Sequence, residues 1–113
     1  MWSVVVSILF SNIAPNDISI LDYGSSWGYQ SFQFLKEGYN CSSYEISKQR
    51  AEFGNNKLRL NIQTDEQSLP EFNDIFFSSH VIEHVPSPSK MIKLGTKLLK
   101  ENGYFIEISP NGS

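Results

Sequence analysis

The chain has 113 residues, 40% hydrophobic, 13% aromatic and 19% charged. That composition excludes a disordered segment, which lacks the apolar area needed to offset ordering entropy, and the length suits one domain able to bury roughly two-thirds of its unfolded surface. Nine Lys and Arg against twelve Asp and Glu give a net charge of −3, so there is no basic footprint for a phosphate backbone and nucleic acid is not an expected partner.

The stretch from Met1 to Phe10 is apolar, but the first Lys is Lys36 and Ala14 is followed by Pro15. It therefore lacks the positive start and the cleavage site of a signal peptide, and it is shorter than the roughly 20 residues that span a bilayer. Ser3, Ser7 and Ser11 recur at i+4, as in a helix packing its other faces; a short strand through Val4, Val5 and Val6 fits equally. Residues 1–17 are expected to be an apolar docking segment ahead of a domain at 18–113. Cys41 is the only cysteine, which fits a reducing, cytoplasmic compartment; no membrane partner is expected.

From Ile18 the chain alternates strand-like and helix-like segments. Ile18 to Asp22 reads as a buried strand and Tyr23 to Gly28 as a loop. Tyr29 to Glu37 reads as a helix with Phe32, Leu35 and Phe34 facing inward, stopped by Gly38. Cys41 to Glu45 is a second strand. Ser47 caps a helix to about Phe53, with Gly54-Asn55-Asn56 as its breaker. Leu58 to Ile62 alternates as a third strand, and Asp74 to Ser79 makes a fourth. After Pro86 and Pro88, a helix from Ser89 to Lys100 carries Met91, Leu94 and Leu98 on one face, with Ile92 and Leu99 beside them. Lys90, Lys93, Lys97 and Lys100 form its solvated side. Asn102-Gly103 ends that helix, and Tyr104 to Ser109 is a fifth strand. Strands spaced by helices imply parallel pairing, hence an α/β sheet with helices on both faces. Ligands in such sheets bind at the carboxyl ends of the strands.

The first of those ends is Asp22-Tyr23-Gly24-Ser25-Ser26-Trp27-Gly28. Gly24 and Gly28 permit a tight turn, and the next helix points free N–H groups into it. A dinucleotide fingerprint would need glycine at Ser26 and Tyr29, and a phosphate loop would need Gly at Tyr29 and Lys at Gln30, so both patterns fail. The second strand ends in Glu45, twenty-one positions after Gly24. A carboxylate at about that distance can accept both ribose hydroxyls of an adenosine ligand; the alternatives are that Glu45 caps the next helix or pairs with Lys48 or Arg50.

The acid-x-Gly-x-Ser-x-Gly loop resembles the first motif of class I S-adenosylmethionine (SAM)-dependent methyltransferases, departing only at Ser26 where the family commonly has glycine. Asp65-Glu66-Gln67-Ser68-Leu69-Pro70 is similar to the family's acid-x-x-x-Leu-Pro segment. The run from Phe72 to Val85, with Glu83-His84-Val85, and the later Pro110-Asn111 resemble a small-molecule and glycan-associated subgroup. The resemblance implies a Rossmann-like three-layer sandwich with strand order 3-2-1-4-5, lacking the last two strands of the seven-stranded family fold.

It implies that Gly24, Ser26 and Gly28 wrap the methionine part of SAM and that Asp22 serves the loop or the amino end of the ligand. Glu45 takes the ribose, and Asp65, with Glu66 beside it, the adenine. Ser78, Ser79 and His80 lie by the sulfonium and the acceptor. His80 is the candidate general base, with a loop-orienting hydrogen bond as its plainer role. Some relatives hold a metal on Glu-x-x-Glu-His; here His80, Glu83 and His84 stand there, and imidazole in place of a hard oxygen weakens that reading. The implied function is methyl transfer to a small-molecule or saccharide acceptor. The alternatives are a non-catalytic SAM- or nucleoside-binding module and an NAD enzyme, the latter disfavoured by the missing glycines. An uncovered fifth strand offers an edge for a homodimer.

Overall fold

A computed structural model describes residue 6 and residues 8–79 and 88–108. Its strands are β1 (Ser19–Tyr23), β2 (Asn40–Tyr44), β3 (Ile62–Gln63), β4 (Asn73–Ser79) and β5 (Leu99–Ile108); its helices include α1 (Tyr29–Lys36), α2 (Lys48–Lys57) and α3 (Pro88–Leu98). All pair in parallel in the order β3-β2-β1-β4-β5, as the resemblance implies. β1 lies centrally, and β2 and β4 leave it in opposite directions, so the order reverses at the carboxyl end of β1. A crevice opens at such a point because the flanking loops diverge.

Two apolar clusters sandwich the sheet. One joins Ile18, Ile20, Ile75 and Phe77 to Phe34 of α1, Tyr39 and Val6, with Phe10 packed against it. The other joins Leu21, Tyr23, Tyr44, Leu69 and Phe76 to Met91 and Leu98 of α3. Alternate residues of β1 and β4 feed opposite clusters, as a two-residue period requires. Among the described residues, no helix is long and apolar enough to cross a membrane.

Four local expectations change. Ser31 and Phe34 are the buried residues of α1, whereas Phe32 and Leu35 remain 40% and 42% exposed. The buried carboxylate of Asp22 sets this phase: it needs a donor, which Ser31 supplies at 2.6 Å. Phe34, on the same side, then meets Phe77 edge-on with centroids 5.4 Å apart.

Helix α2 begins as expected, Ser47 Oγ accepting from Arg50 N at 3.3 Å, but continues through Gly54-Asn55-Asn56. Those residues are contacts, not breakers. A Cβ on Gly54 would lie 2.8 Å from the Trp27 carbonyl oxygen. The Asn55 amide accepts from the backbone N of Ile62 at 2.7 Å and donates to its carbonyl at 3.3 Å.

The third strand is confined to Ile62–Gln63 because Leu58 ends α2 and Arg59 adopts a left-handed φ of 56°. Finally, Asn102-Gly103 falls inside β5. The register passes from Asn73↔Leu99 to Ile75↔Tyr104, a step of two on β4 against five on β5, so the turn is absorbed as a wide irregularity. Gly103 permits it, since a Cβ there would stand 3.1 Å from the carbonyl oxygens of both Asn73 and Asp74. On α3, Met91 and Leu98 are buried as expected, while Ile92 is half-exposed. Lys100, at the end of the lysine stripe, pairs with Asp74 at 3.0 Å.

Candidate functional site

The loop from Gly24 to Gly28 leaves β1 in a chain of left-handed residues, with φ of 84° at Gly24, 56° at Ser26 and 96° at Gly28. Gly24 and Ser25 both donate their N–H to the Tyr44 carbonyl at 2.8 Å, tying the loop to the end of β2. A side chain at Gly28 would be strained by its φ of 96° and would have to displace Leu60, whose Cδ1 would stand 2.5 Å from a Cβ. As the N-cap of α1, Gly28 also brings no side-chain acceptor to the first turn, so those N–H groups face outward without a cap. Ser26 holds a conformation costing an L-residue about 1–2 kcal/mol, and its N–H is fastened to Glu45 Oε1 at 2.8 Å.

Glu45 is therefore a bracket. Its second oxygen accepts from Ser47 N at 2.9 Å, so one carboxylate joins the glycine loop to the start of α2 while remaining only 6% exposed. An ionised carboxylate has about four acceptor positions, so two are spoken for and two remain. The cations named as its alternative partners do not take them: among the described residues no ion pair joins Glu45 to Lys48 or Arg50, and Arg50 lies over the Trp27 ring at 5.4 Å.

Asp22 is buried at the end of β1 and accepts from Ser31 Oγ at 2.6 Å; Ser31 Oγ in turn accepts from Ser43 Oγ at 2.7 Å. Burial pushes the Asp22 carboxyl up to about 6, the Ser31 bond pulls it down, and the Glu45 charge adds to the rise.

On the other side of the sheet, Tyr23 donates its hydroxyl to Glu66 Oε1 at 2.5 Å. Burial, then this bond, hold the phenol well above the usual tyrosine range. Asp65 caps the short turn Glu66–Ser68, its Oδ1 accepting from Gln67 N at 3.0 Å. The Tyr44 hydroxyl is raised by burial and then by the charges of Glu66, Glu45 and Asp65.

The structure thus brings Asp22, Gly24, Ser26, Gly28 and Glu45 together, with Asp65 and Glu66 on the adjoining loop. Ser78 is turned away: it is fully buried, its hydroxyl 4.0 Å from Met91 Sδ. Ser79 closes β4. The candidate base His80 and the weak metal candidates Glu83 and His84 lie outside the described residues. Among those described, no group of three or more His, Cys, Asp or Glu could hold a metal ion.

Sequence reasoning missed Ser31 and Ser43. The available signal was a serine nine positions after Asp22, on the helix face where an apolar residue would otherwise sit. It also missed three buried atoms without hydrogen-bond partners among the described residues, Ser25 Oγ, Gln30 Nε2 and Glu107 Oε1. All three lie toward the carboxyl ends of strands: Ser25 and Gln30 follow β1, and Glu107 is next to last in β5. Buried polar atoms are normally satisfied, so each of these three is an exception within the described structure.

Comparison with known proteins bears on the fold and the family. No curated protein matches the chain in sequence. Among solved structures, the YcgJ protein from Bacillus subtilis superposes with a TM-score of 0.77 at 19% identity, covering 95% of this chain and 50% of that one. The O-methyltransferase of a trans-AT PKS multienzyme of Brevibacillus brevis, in complex with S-adenosyl-L-homocysteine, gives 0.74 at 21% identity over 88% of this chain and 36% of that one. Magnesium protoporphyrin IX methyltransferase from Synechocystis PCC 6803, with bound SAM, gives 0.71 at 19% identity, over 93% and 60%. These likenesses establish the fold, and the chain spans between 36% and 60% of the length of those three relatives. A family model described as a methyltransferase domain matches residues 21–106, from the last half of β1 to β5. By that match the chain belongs to the methyltransferase-domain family.

Proposed function

We propose that this domain binds SAM at the carboxyl ends of β1 and β2 and supports transfer of its methyl group to a small-molecule or saccharide acceptor. One observation carries the reading: the Glu45 carboxylate is held between the left-handed loop and the start of α2 with acceptor positions left for two ribose hydroxyls. The other residues fit the same ligand. Asp22 supplies a carboxylate for the amino end of the methionine moiety, and the loop of Gly24, Ser26 and Gly28 curves around it. The orphaned Ser25 hydroxyl is available to a polar group there. Asp65 keeps one carboxylate oxygen for the adenine amino group, beside Glu66. Two of the structurally similar proteins are complexes with SAM or S-adenosyl-L-homocysteine, which supports the assignment.

SAM supplies a methyl group already activated on a sulfonium. The chain's task is to orient it, exclude water and leave one face open to the acceptor, and positioning alone can lower a barrier by several kcal/mol. Ser79 and His80, following the buried Ser78, are assigned to the acceptor side, His80 as the group that takes an acceptor proton. Residues 18–113 form the binding core in this reading. Residues 1–17 form its docking segment, a role supported by the complete burial of Val6 and the packing of Phe10 against the core.

The test is calorimetric titration with SAM and S-adenosyl-L-homocysteine, followed by methyl release with a panel of hydroxylated small molecules and saccharides. Binding lost in Glu45→Ala supports the site. Binding without transfer to any acceptor would make the domain a non-catalytic SAM-binding module, and no binding at millimolar SAM would end the proposal.

A further inference from the structure

We infer that Ser31 and Ser43 are positioning residues whose hydroxyls form a one-way relay presenting Asp22 to the cationic amino end of the cofactor as an oriented, ionised carboxylate; this rests on the SAM reading above. The geometry is directional. Ser43 Oγ–H donates to Ser31 Oγ at 2.7 Å, which leaves the Ser31 proton only one use, donation to Asp22 Oδ2 at 2.6 Å. All three side chains are buried, Ser31 completely, so no water competes for them and each bond strengthens the next. The relay crosses from β2 through α1 to β1, so the orientation of Asp22 is fixed by two other elements and not by its own strand.

A relay of donors is what this carboxylate requires. Burial disfavours its charged form, the neighbouring Glu45 charge does so as well, and the Ser31 bond is the opposing influence. The groups facing Asp22 among the described residues are few. β2 and the residue after it contribute Ser43, Glu45 and the Cys41 thiol, itself pushed up to about 12 mainly by burial and therefore neutral. α1 contributes Ser31, and β4 places the uncharged Phe77 beside it in register. No described cation balances the charge, so hydrogen bonding from the relay is what stabilises the carboxylate until the ligand's ammonium arrives.

Two readouts test this, one needing no ligand. Carbon NMR of the free protein should show the Asp22 carboxyl titrating near 6, and Ser31→Ala should raise that midpoint by about one unit. Ser43→Ala leaves the last bond in place and should raise it by less. Calorimetry should find the SAM affinity of Ser31→Ala weaker than wild type at both pH values, by a factor about threefold larger at pH 6.5 than at pH 8, where both carboxyls are ionised and only the lost orientation counts. An unmoved midpoint in both variants, or an affinity loss equal at the two pH values, overturns the relay. Should the unmodified chain bind no SAM at any pH, the cofactor reading falls and takes the relay's purpose with it. Normal SAM binding with an unmoved Asp22 would overturn the relay alone.

Discussion

The two faces of the central sheet are built for different ends. On the α3 face, Tyr44, Tyr23, Phe76 and Phe105 stack one beside the next with centroid separations of 4.8, 5.2 and 4.9 Å, one ring from each of four adjacent strands. On the α1 face, at the same depth, Asp22, Ser31 and Ser43 form a polar thread where apolar residues would pack as well. The aromatic row stabilises; the polar thread costs stability, and in the proposed function it serves the amino end of the cofactor. A protein selected for stability alone would not bury an uncompensated carboxylate beside a second one.

This contrast can be broken from the aromatic side first. Phe76→Ala, at the centre of the row and fully buried, should destabilise the chain by about 3–5 kcal/mol, measured by urea unfolding. The residues proposed to bind the cofactor would keep their geometry in whatever fraction stays folded.

From the polar side the sign reverses. The folded pKa of Asp22 is raised from 3.8 to about 6. Its contribution to stability is therefore full below pH 4 and lost as pH rises through 6, because the folded state binds the proton more tightly. Asp22→Asn, which keeps an acceptor for Ser31, should stabilise the free protein at pH 7.5 by on the order of 3 kcal/mol while abolishing most SAM affinity. Urea unfolding at pH 4 and 7.5 checks the first part and calorimetry the second. Equal stability of variant and wild type at pH 7.5 would show that the carboxylate is not strained by burial.

Two smaller effects sharpen the picture. Ser26→Gly should stabilise by about 1 kcal/mol, relieving the left-handed serine while keeping its N–H on Glu45; thermal unfolding would register a rise of a few degrees. Lys100→Ala removes a half-exposed pair with Asp74 and should cost about 0.5 kcal/mol or less, fading with salt. Asp74 keeps its place by accepting from Ser19 N at 2.8 Å.

How much of this was legible in the sequence follows from the physics of each element. The Asp22 loop and Glu45 were readable because glycine spacing and a carboxylate about 20 residues later report backbone shape, a local property. The alternation of elements was readable for the same reason, and the parallel order 3-2-1-4-5 came with the family resemblance. The inward face of α1 was not, because a helix containing Phe32, Phe34 and Leu35 has competing apolar stripes. Asp22, a residue on another element, chose between them. Gly54-Asn55-Asn56 misled because its glycine and asparagine serve tertiary contacts with Trp27 and Ile62 that no local pattern records. Asn102-Gly103 misled likewise: a turn signal of the right strength was accommodated within a strand.

The central claim is that Glu45 brackets the loop in order to hold an adenosine ligand, and titration of SAM into wild type and Glu45→Gln tests it most directly. The amide retains an oxygen for one backbone N–H but loses the charge and the spare acceptor positions for the ribose. The account predicts saturable, roughly one-to-one binding to wild type and a loss of about 10- to 100-fold in the variant, measured below its melting temperature, which falls because one of the two bracketed backbone N–H groups loses its acceptor. Equal affinity in the two proteins, or no heat from either, would contradict it.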